Sequence, residues 1–521
     1  MCSPSAAVDG RAAVLDDQSN VADIAAAEYT VRVAASECVR SNTPMPADTE
    51  SRVEDVNDVH SALNPNRMRV HRPSNAEELS RVIQKAKNAA SGVTVCGGRH
   101  AMGGQQFADG GELIDTRGMN RILGFDQTSG LVRAEAGIQW PDLIGGIQER
   151  QHGPDSDSLP KWGIAQKQTG ADGMTLGGAL SANIHGRGLL MSPIVSDVEA
   201  FTLIVPSGDQ VACSRNHNTE LFSLAIGGYG LFGVITDVTL RLAARRTLRR
   251  VVRVIDIEEA VVAAERRIRK GFIYGDFQFD IDPRSPDFLT KGVFSGYCPV
   301  AGDPEPPEEQ RSLSRDDWTN LLTLAHSDKS RAFTLYAQHY IATDGQLYYS
   351  DTHQLSEYLE DYHGEVDRQL DASHRGSEII TELYVPPEHL VEFLRSAAAL
   401  LVANGSQVIY GTIRLIQPDV DTVLAWARNR LACVVFNLHV DHVEASIQRA
   451  GAAFKALIDL AIGFNGSYYL TYHRFATPQQ FERCYPRVHE FFEAKRRLDP
   501  TGLFQSDWYR HYAPHFARNS V

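Results

Sequence analysis

The sequence predicts an α+β protein, and three observations carry that prediction. From Gly97 to Leu242 short strand-type runs alternate with glycine clusters, whereas between Leu390 and Tyr472 a helix-then-strand alternation occurs three times. The style changes after about residue 250, which divides the chain into two kinds of domain.

Residues 1–57, the first fifty above all, are rich in Ala, Ser, Asp and Pro with little periodicity and read as a weakly ordered N-terminal extension. Met68-Arg69-Val70 is the first strand. Ser74 and Glu77 have capping-box spacing, and Leu79, Val82, Ile83 and Ala86 supply the apolar stripe of the helix that follows. Gly92 stops it, and Val93–Cys96 is a buried strand running into glycines. Further strands at 112–115, 131–136, 201–205, 211–213 and 234–242 complete a first domain over residues 58–245.

A second domain is read over 246–480. Its acidic, proline-rich stretch Gly302–Glu308 is a surface loop and a candidate lid. Helices at 388–403, 419–430 and 443–461 precede strands at 407–416, 432–441 and 467–474, which predicts one mainly antiparallel sheet covered by helices. The final segment, 481–521, holds a helix from Phe481 to Arg497 that stops at Asp499-Pro500-Thr501-Gly502.

With 521 residues and a formal charge of −14, no global positive field favours nucleic acid as a partner. The seven cysteines are far apart and form no CxxC pair, so neither a disulfide framework nor a metal site is read. The first thirty residues carry Asp9, Asp16, Asp17 and Asp23 and no secretory h-region, and nowhere do eighteen apolar residues run together. No stable membrane insertion and a reducing, cytoplasmic setting are the expectations.

Gly228-Tyr229-Gly230-Leu231-Phe232-Gly233 matches GxGxxG, yet a dinucleotide site needs a strand before it and a helix after it. Here Glu220–Ala225 reads as helix and Val234–Leu240 as strand, the reverse order. The loop Cys96-Gly97-Gly98-Arg99-His100-Ala101-Met102-Gly103-Gly104-Gln105 leaves a buried strand with four glycines. Its amides suit a phosphate, although a tight surface turn has the same composition. A second loop, Gly170 to Gly188, is made almost throughout of small residues, which suits a backbone laid against a large flat ligand.

Together the two loops resemble the FAD-linked oxidases of the vanillyl-alcohol oxidase and p-cresol methylhydroxylase (PCMH) type, over a span from about residue 58 to the C-terminus. The resemblance implies a PCMH-type two-subdomain FAD-binding domain, completed by the C-terminal segment, with a substrate domain inserted. It implies that Gly97, Gly98, Arg99, His100, Ala101, Met102 and Gln105 wrap the FAD pyrophosphate, and that His100 bonds covalently to the flavin 8α-methyl carbon. Gly170, Leu176-Gly177-Gly178, Ser181 and His185-Gly186 resemble the segment along the isoalloxazine, His185 being structural or flavin-lining. Leu224–Gly228 through Gly233-Val234-Ile235-Thr236 resembles a third flavin-binding stretch, and Asp499–Phe504 is also familial. No cysteine lies between Cys96 and Cys213, so a single covalent link is the most this chain makes. Ser181–Gly188 is most similar to sugar, polyol and aldonolactone oxidoreductases, with the decaprenylphosphoryl-ribose oxidase group a near neighbour.

Strand alternation outlines the pocket without the family. Period two groups Tyr410, Thr412 and Arg414; Asn437, His439 and Asp441; Tyr469, Thr471 and His473; and Glu382 with Tyr384. Such faces suit a hydroxylated ligand, with a solvated face as the alternative. If the fold is as implied, a small alcohol passes hydride to flavin N5 while a base takes its hydroxyl proton. His439 and His473 are the candidate bases with Glu382 behind them, Arg414 orients substrate or reduced flavin, and Tyr410, Thr412, Asn437 and Tyr384 contact substrate. The acceptor is oxygen or another oxidant. In some relatives a small residue just before the His-Gly pair admits oxygen, and Ile184 here implies slow reaction with it. A flavin-fold protein that only binds a ligand is the reading from another class. The arginine run from Arg241 to Arg253 reads as the solvated edge of a strand, against a nucleic-acid or membrane patch.

Overall fold

The computed structural model describes residues 51–151, 159–355, 359 and 362–517, and these form an α+β structure. The first sheet has the order Arg52–Val56, Asn66–His71, Glu112–Asp115, Val93–Cys96, parallel except for its first strand. Arg52–Val56 lies inside the stretch read as weakly ordered; its charged side chains suit a strand at a sheet edge. Residues 1–50 of that reading lie outside the described ones.

The helix Ala76–Asn88 buries Leu79, Val82, Ile83 and Ala86. Its cap is one residue later than the sequence suggests: Asn75 accepts from Glu78 N at 2.9 Å, while the Glu78 carboxylate accepts from Ser74 N at 2.8 Å. Asparagine caps as well as serine does, so the local sequence left two registers open.

The second sheet is antiparallel, in the order Ile122–Asp126, Leu131–Glu135, Val234–Arg241, Val198–Ile204, Gln210–Ser214. The GxGxxG stretch lies between the helix Thr219–Ala225 and the strand Val234–Arg241, so no dinucleotide fold surrounds it. The C-terminal segment comes back to the first sheet. Val93 N donates to Leu503 O at 2.7 Å and Gln505 N to Val93 O at 2.8 Å. Asp499 makes that return by accepting from Leu503 N and Phe504 N, each at 2.9 Å, with buried Lys495 as its counter-ion.

The third sheet has eight strands: Leu347–Tyr349, Thr247–Asp256, Lys291–Pro299, Tyr274–Phe279, Gln407–Ile416, Leu431–Asp441, Gly376–Val385 and Ser467–Tyr468, every described pair antiparallel. Helices Leu390–Ala403 and Glu444–Gly463 flank it. Helices Arg315–Ser327 and Lys329–Ala342 stand over the face bearing Glu378 and Gln278, through His326–Glu378 at 3.0 Å and Tyr336–Gln278 at 2.5 Å.

Three expected elements differ. No helix forms over 419–430, because the buried Asp419 carboxylate accepts from Asp421 N and Thr422 N and from Asn183 Nδ2, a local alternative to helical bonding. The strand expected over 467–474 pairs only at Ser467 and Tyr468, after which Thr471 O accepts from Met102 N in the glycine loop. The helix expected from 481 to 497 is two, Pro478–Cys484 and Val488–Leu498, broken where Pro486 removes a donor.

The arginine run is not an open basic patch. Arg241, Arg246 and Arg253 pair with Glu199, Asp303 and Glu259, and Arg245 lies 3.0 Å from Asp351 and over the Tyr349 ring. Arg250 donates to Tyr297 Oη and Thr343 Oγ1. The loop 302–308 is fastened by Thr247 N donating to Asp303, and it lines neither cavity described below, so it is no lid.

Candidate active site

Two cavities meet at the first glycine loop. Ala101 lines one and Met102 the other; Thr471 lines one and Tyr472 the other.

The first is a slot lined by many small residues. The expected residues Gly97 to Ala101 line it, with Gln105, Gly177, Gly178, Ser181 and Ile235. Glycine is required here by contact: a Cβ on Gly97 would sit 2.0 Å from Thr175 Oγ1, and one on Gly98 1.9 Å from Gly173 O. Between them and His100, Arg99 takes φ 59°, a left-handed turn. Among the described residues, Arg99 Nε, Gln105 Oε1 and Gln106 Oε1 are buried at the slot without hydrogen-bond partners, donors and acceptors that a polar cofactor satisfies. These residues fit FAD. Sequence reasoning did not single out Tyr229 or assign Thr471 to the slot: Tyr229, at φ 53°, lies inside the misleading GxGxxG, and Thr471 was grouped by alternation with the face read as the substrate pocket. Of the other expected cofactor residues, Met102 and Gly170 line the second cavity. His185 and Gly186 line neither, Gly186 N facing Gln166 Oε1 at 3.3 Å.

His100 Nδ1 lies 2.9 Å from His60 Nε2, a neighbour that nothing in the sequence marked. Burial pushes the His100 pKa well below the usual histidine range and that of His60 down to about 4, Asp58 opposing the latter. Both imidazoles are therefore neutral at neutral pH.

The second cavity, of about 320 Å³, lies over the eight-stranded sheet. Glu382 is opposite Val435, which is opposite Thr412, and Tyr384 is opposite Cys433, which is opposite Arg414. Opposed residues share a face, so the period-two groups of the central strands do gather on one side of the sheet. Glu382, Arg414, Asn437 and Tyr410 line the cavity, with Tyr472, Gln278 and Tyr336. Thr412 and Tyr384 are fully buried beneath it; Tyr384 stacks on Trp426 and donates to Glu382 at 2.9 Å.

Glu382 also accepts from Tyr472 Oη at 2.5 Å and faces His185 Nε2 at 2.9 Å. Burial by itself would raise its pKa; His185, Arg414 and Tyr472 outweigh that and hold it down at about 2. His185 Nδ1 lies 3.2 Å from Gly186 O, and a carbonyl only accepts, so Nδ1 carries a hydrogen, and the 2.9 Å contact of Nε2 with Glu382 is a hydrogen bond through a second hydrogen between them. Among the described residues, Arg414 Nε and Nη1 and Asn437 Oδ1 are buried without hydrogen-bond partners.

The two histidines expected as bases line neither cavity. His439 is opposite Glu378, six positions along its strand from Cys433, which is about 20 Å at strand rise. His473 follows the end of its strand, faces Ser61 Oγ at 3.4 Å and stacks on Phe475. The histidine beside the carboxylate is His185.

Comparison with known proteins agrees with this geometry. A family described as FAD binding domain matches residues 68–214, and one described as D-arabinono-1,4-lactone oxidase matches residues 361–512. The chain is 23% identical to L-gulonolactone oxidase of Mus musculus, over 84% of this chain and 93% of that protein. It is 23% identical to L-gulono-1,4-lactone dehydrogenase of Mycobacterium tuberculosis, over 84% and 94%. To decaprenylphosphoryl-beta-D-ribose oxidase of Mycolicibacterium smegmatis it is 22% identical, over 84% and 93%. The slot, the carboxylate cavity and these matches place the chain in the FAD-linked oxidase family of the vanillyl-alcohol oxidase and PCMH type, as an FAD-dependent oxidoreductase acting on CH–OH groups.

Proposed function

We propose that the substrate is an aldonolactone or related polyhydroxy sugar whose reacting carbon lies beside Glu382 and Arg414. The observation that carries this is Glu382, backed by His185, facing a cavity that also holds Arg414, whose buried Nε and Nη1 have no hydrogen-bond partner among the described residues. FAD supplies the hydride acceptor when bound. Glu382, hydrogen-bonded to His185, takes the hydroxyl proton, and Arg414 holds the substrate oxygen with its free N–H groups. Asn437 and Tyr410 meet further hydroxyls, and Tyr472 fixes the carboxylate. Two of the relatives are named for lactones, which supports the substrate class.

A lipid-linked sugar is the second reading. Trp318, Leu321, Leu322 and Phe333 give the cavity an apolar wall that a free sugar does not need, and the Mycolicibacterium smegmatis relative is named for such a substrate.

The FAD-binding part is read as 58–245 with 481–521, the substrate part as 246–480, and the covalent link as His100. A cytoplasmic setting is supported by the five described cysteines, all buried and unbridged; among the described residues no helix is long and apolar enough to cross a membrane. The bulk of Ile184, just before His185-Gly186, is the support for slow use of oxygen.

Anaerobic mixing with a panel of aldonolactones, polyols and prenyl-phosphate sugars tests the reading. Bleaching of the flavin by a lactone or polyol is expected. Bleaching by prenyl-phosphate sugars alone transfers the assignment to the second reading, and no bleaching by any of them overturns both.

A further inference from the structure

The cavity has a second carboxylate, Glu378, four residues from Glu382 on the same strand and about 13 Å away at strand rise. Around it stand three histidines. His326 Nε2 lies 3.0 Å and His439 Nδ1 4.0 Å from Glu378 Oε1, and His363 Nε2 lies 2.8 Å from Oε2. Glu378 is 3% exposed, and none of these groups takes part in the chemistry assigned to Glu382.

The hydrogen-bond inventory does not close without a cation. His326 Nδ1 lies 2.8 Å from Leu322 O, so it carries the hydrogen and Nε2 presents a lone pair to a carboxylate oxygen that also only accepts. His439 Nε2 faces Asp441 Oδ1 at 3.5 Å, and its buried Nδ1, turned toward Glu378, has no hydrogen-bond partner among the described residues. One added proton on His326 would satisfy one contact and leave His439 Nδ1 unmet. At Glu382, by contrast, two tyrosine hydroxyls donate and a single proton completes the set. The backbone is cleared for the ring: a Cβ on Gly376 would lie 2.4 Å from His439 Cε1.

We propose that His326, Glu378 and His439, with His363 beside them, bind one divalent metal ion of the zinc, nickel or cobalt class at the edge of the substrate cavity. The ligand atoms of the first three lie within 4.8 Å of one another. Two metal–ligand bonds of about 2.1 Å span up to about 4 Å, so small side-chain rotations close the site. A donor set of imidazoles and one carboxylate selects these metals over magnesium and calcium, which take oxygen ligands. Leu322 O and Asp441 hold the non-ligating ring nitrogens, as outer partners of metal-bound histidines do. The four residues come from separate segments of the chain and include no cysteine, which is why cysteine spacing showed no metal site.

The test uses the full-length, tag-free flavoprotein, stripped with chelator, loaded with zinc chloride and dialysed, with zinc and FAD quantified separately. One equivalent of zinc per chain is expected, falling at least tenfold in His326→Gln and His439→Gln with FAD content unchanged, and X-ray absorption should show only nitrogen and oxygen ligands. His489→Gln, at an exposed histidine paired with Glu482, should change nothing. Zinc retained equally by all variants, no zinc retained by the wild type, or a sulfur ligand from Cys433 at the His185–Glu382 site would each overturn the proposal. The partly exposed His439 makes its variant the one least at risk of misfolding.

Discussion

His185 and Glu382 are 197 positions apart in the chain, yet Nε2 and Oε2 lie 2.9 Å from each other with both side chains buried. The histidine belongs to the small-residue loop that packs along the cofactor slot and the carboxylate to the eight-stranded sheet. Their contact therefore ties the loop beside the cofactor slot to the sheet beneath the second cavity. In that enclosure the interaction is little screened by water, and the loss of either partner is felt in full.

Glu382→Gln keeps the size of the side chain and its capacity to accept from Tyr472, but removes the basic oxygen. Flavin reduction should slow by about 10²–10⁴-fold, the usual contribution of a positioned acid or base, with flavin content unchanged. Stopped-flow reduction under nitrogen measures it, and a rate within tenfold of wild type would remove Glu382 from the proton step.

Gly98→Ala should abolish cofactor binding. Its Cβ would fall 1.9 Å from the Gly173 carbonyl oxygen, a backbone atom that cannot yield without opening the slot. Gly170→Ala is the contrast: at φ 87° it meets nothing within 4 Å, so it bears only the backbone strain of a left-handed residue, about 1 kcal/mol or somewhat more, and should stay yellow. Visible absorption of the two purified variants separates them.

These expectations also mark where the sequence could be read. The glycine loops were legible because close backbone approach excludes side chains whatever the tertiary context, and Glu382 and Arg414 were legible because strand alternation fixes a face. The bases were not. Alternation says which side His439 points to but not that it lies against Glu378, four positions along the strand pair from Glu382, and His473 lies beyond the last paired residue, where alternation no longer applies. Asp419 shows the same limit from the other direction: its carboxylate folds back onto its own backbone and onto Asn183, a partner 236 positions away, so a helical pattern became a loop.

If His100 holds the flavin, acid precipitation of wild type should leave the colour in the pellet, and His100→Ala should release it to the supernatant. His60→Phe should act in the same direction, because it removes the ring that orients His100 Nδ1. Colour that stays in the pellet of His100→Ala would place the link elsewhere.

Lys329 provides a pH signature. Its ammonium is buried, donating to Ala325 O at 2.6 Å and Val408 O at 2.5 Å, and burial lowers its pKa to about 8, Asp282 and Glu378 pulling the other way. The unfolded chain holds the proton up to about pH 10.4. Between these values the unfolded state binds more protons than the folded one, so this residue's contribution to stability rises with pH and is least favourable below pH 8. A shift of that size corresponds to about 3 kcal/mol across the whole window. Lys329→Met removes the titration but also the two donors, a loss that does not vary with pH. The difference in unfolding free energy, wild type minus variant, should therefore be flat from pH 6 to 7.5 and climb toward pH 10; a difference that stays level across that range would show the amine to be charged in the fold.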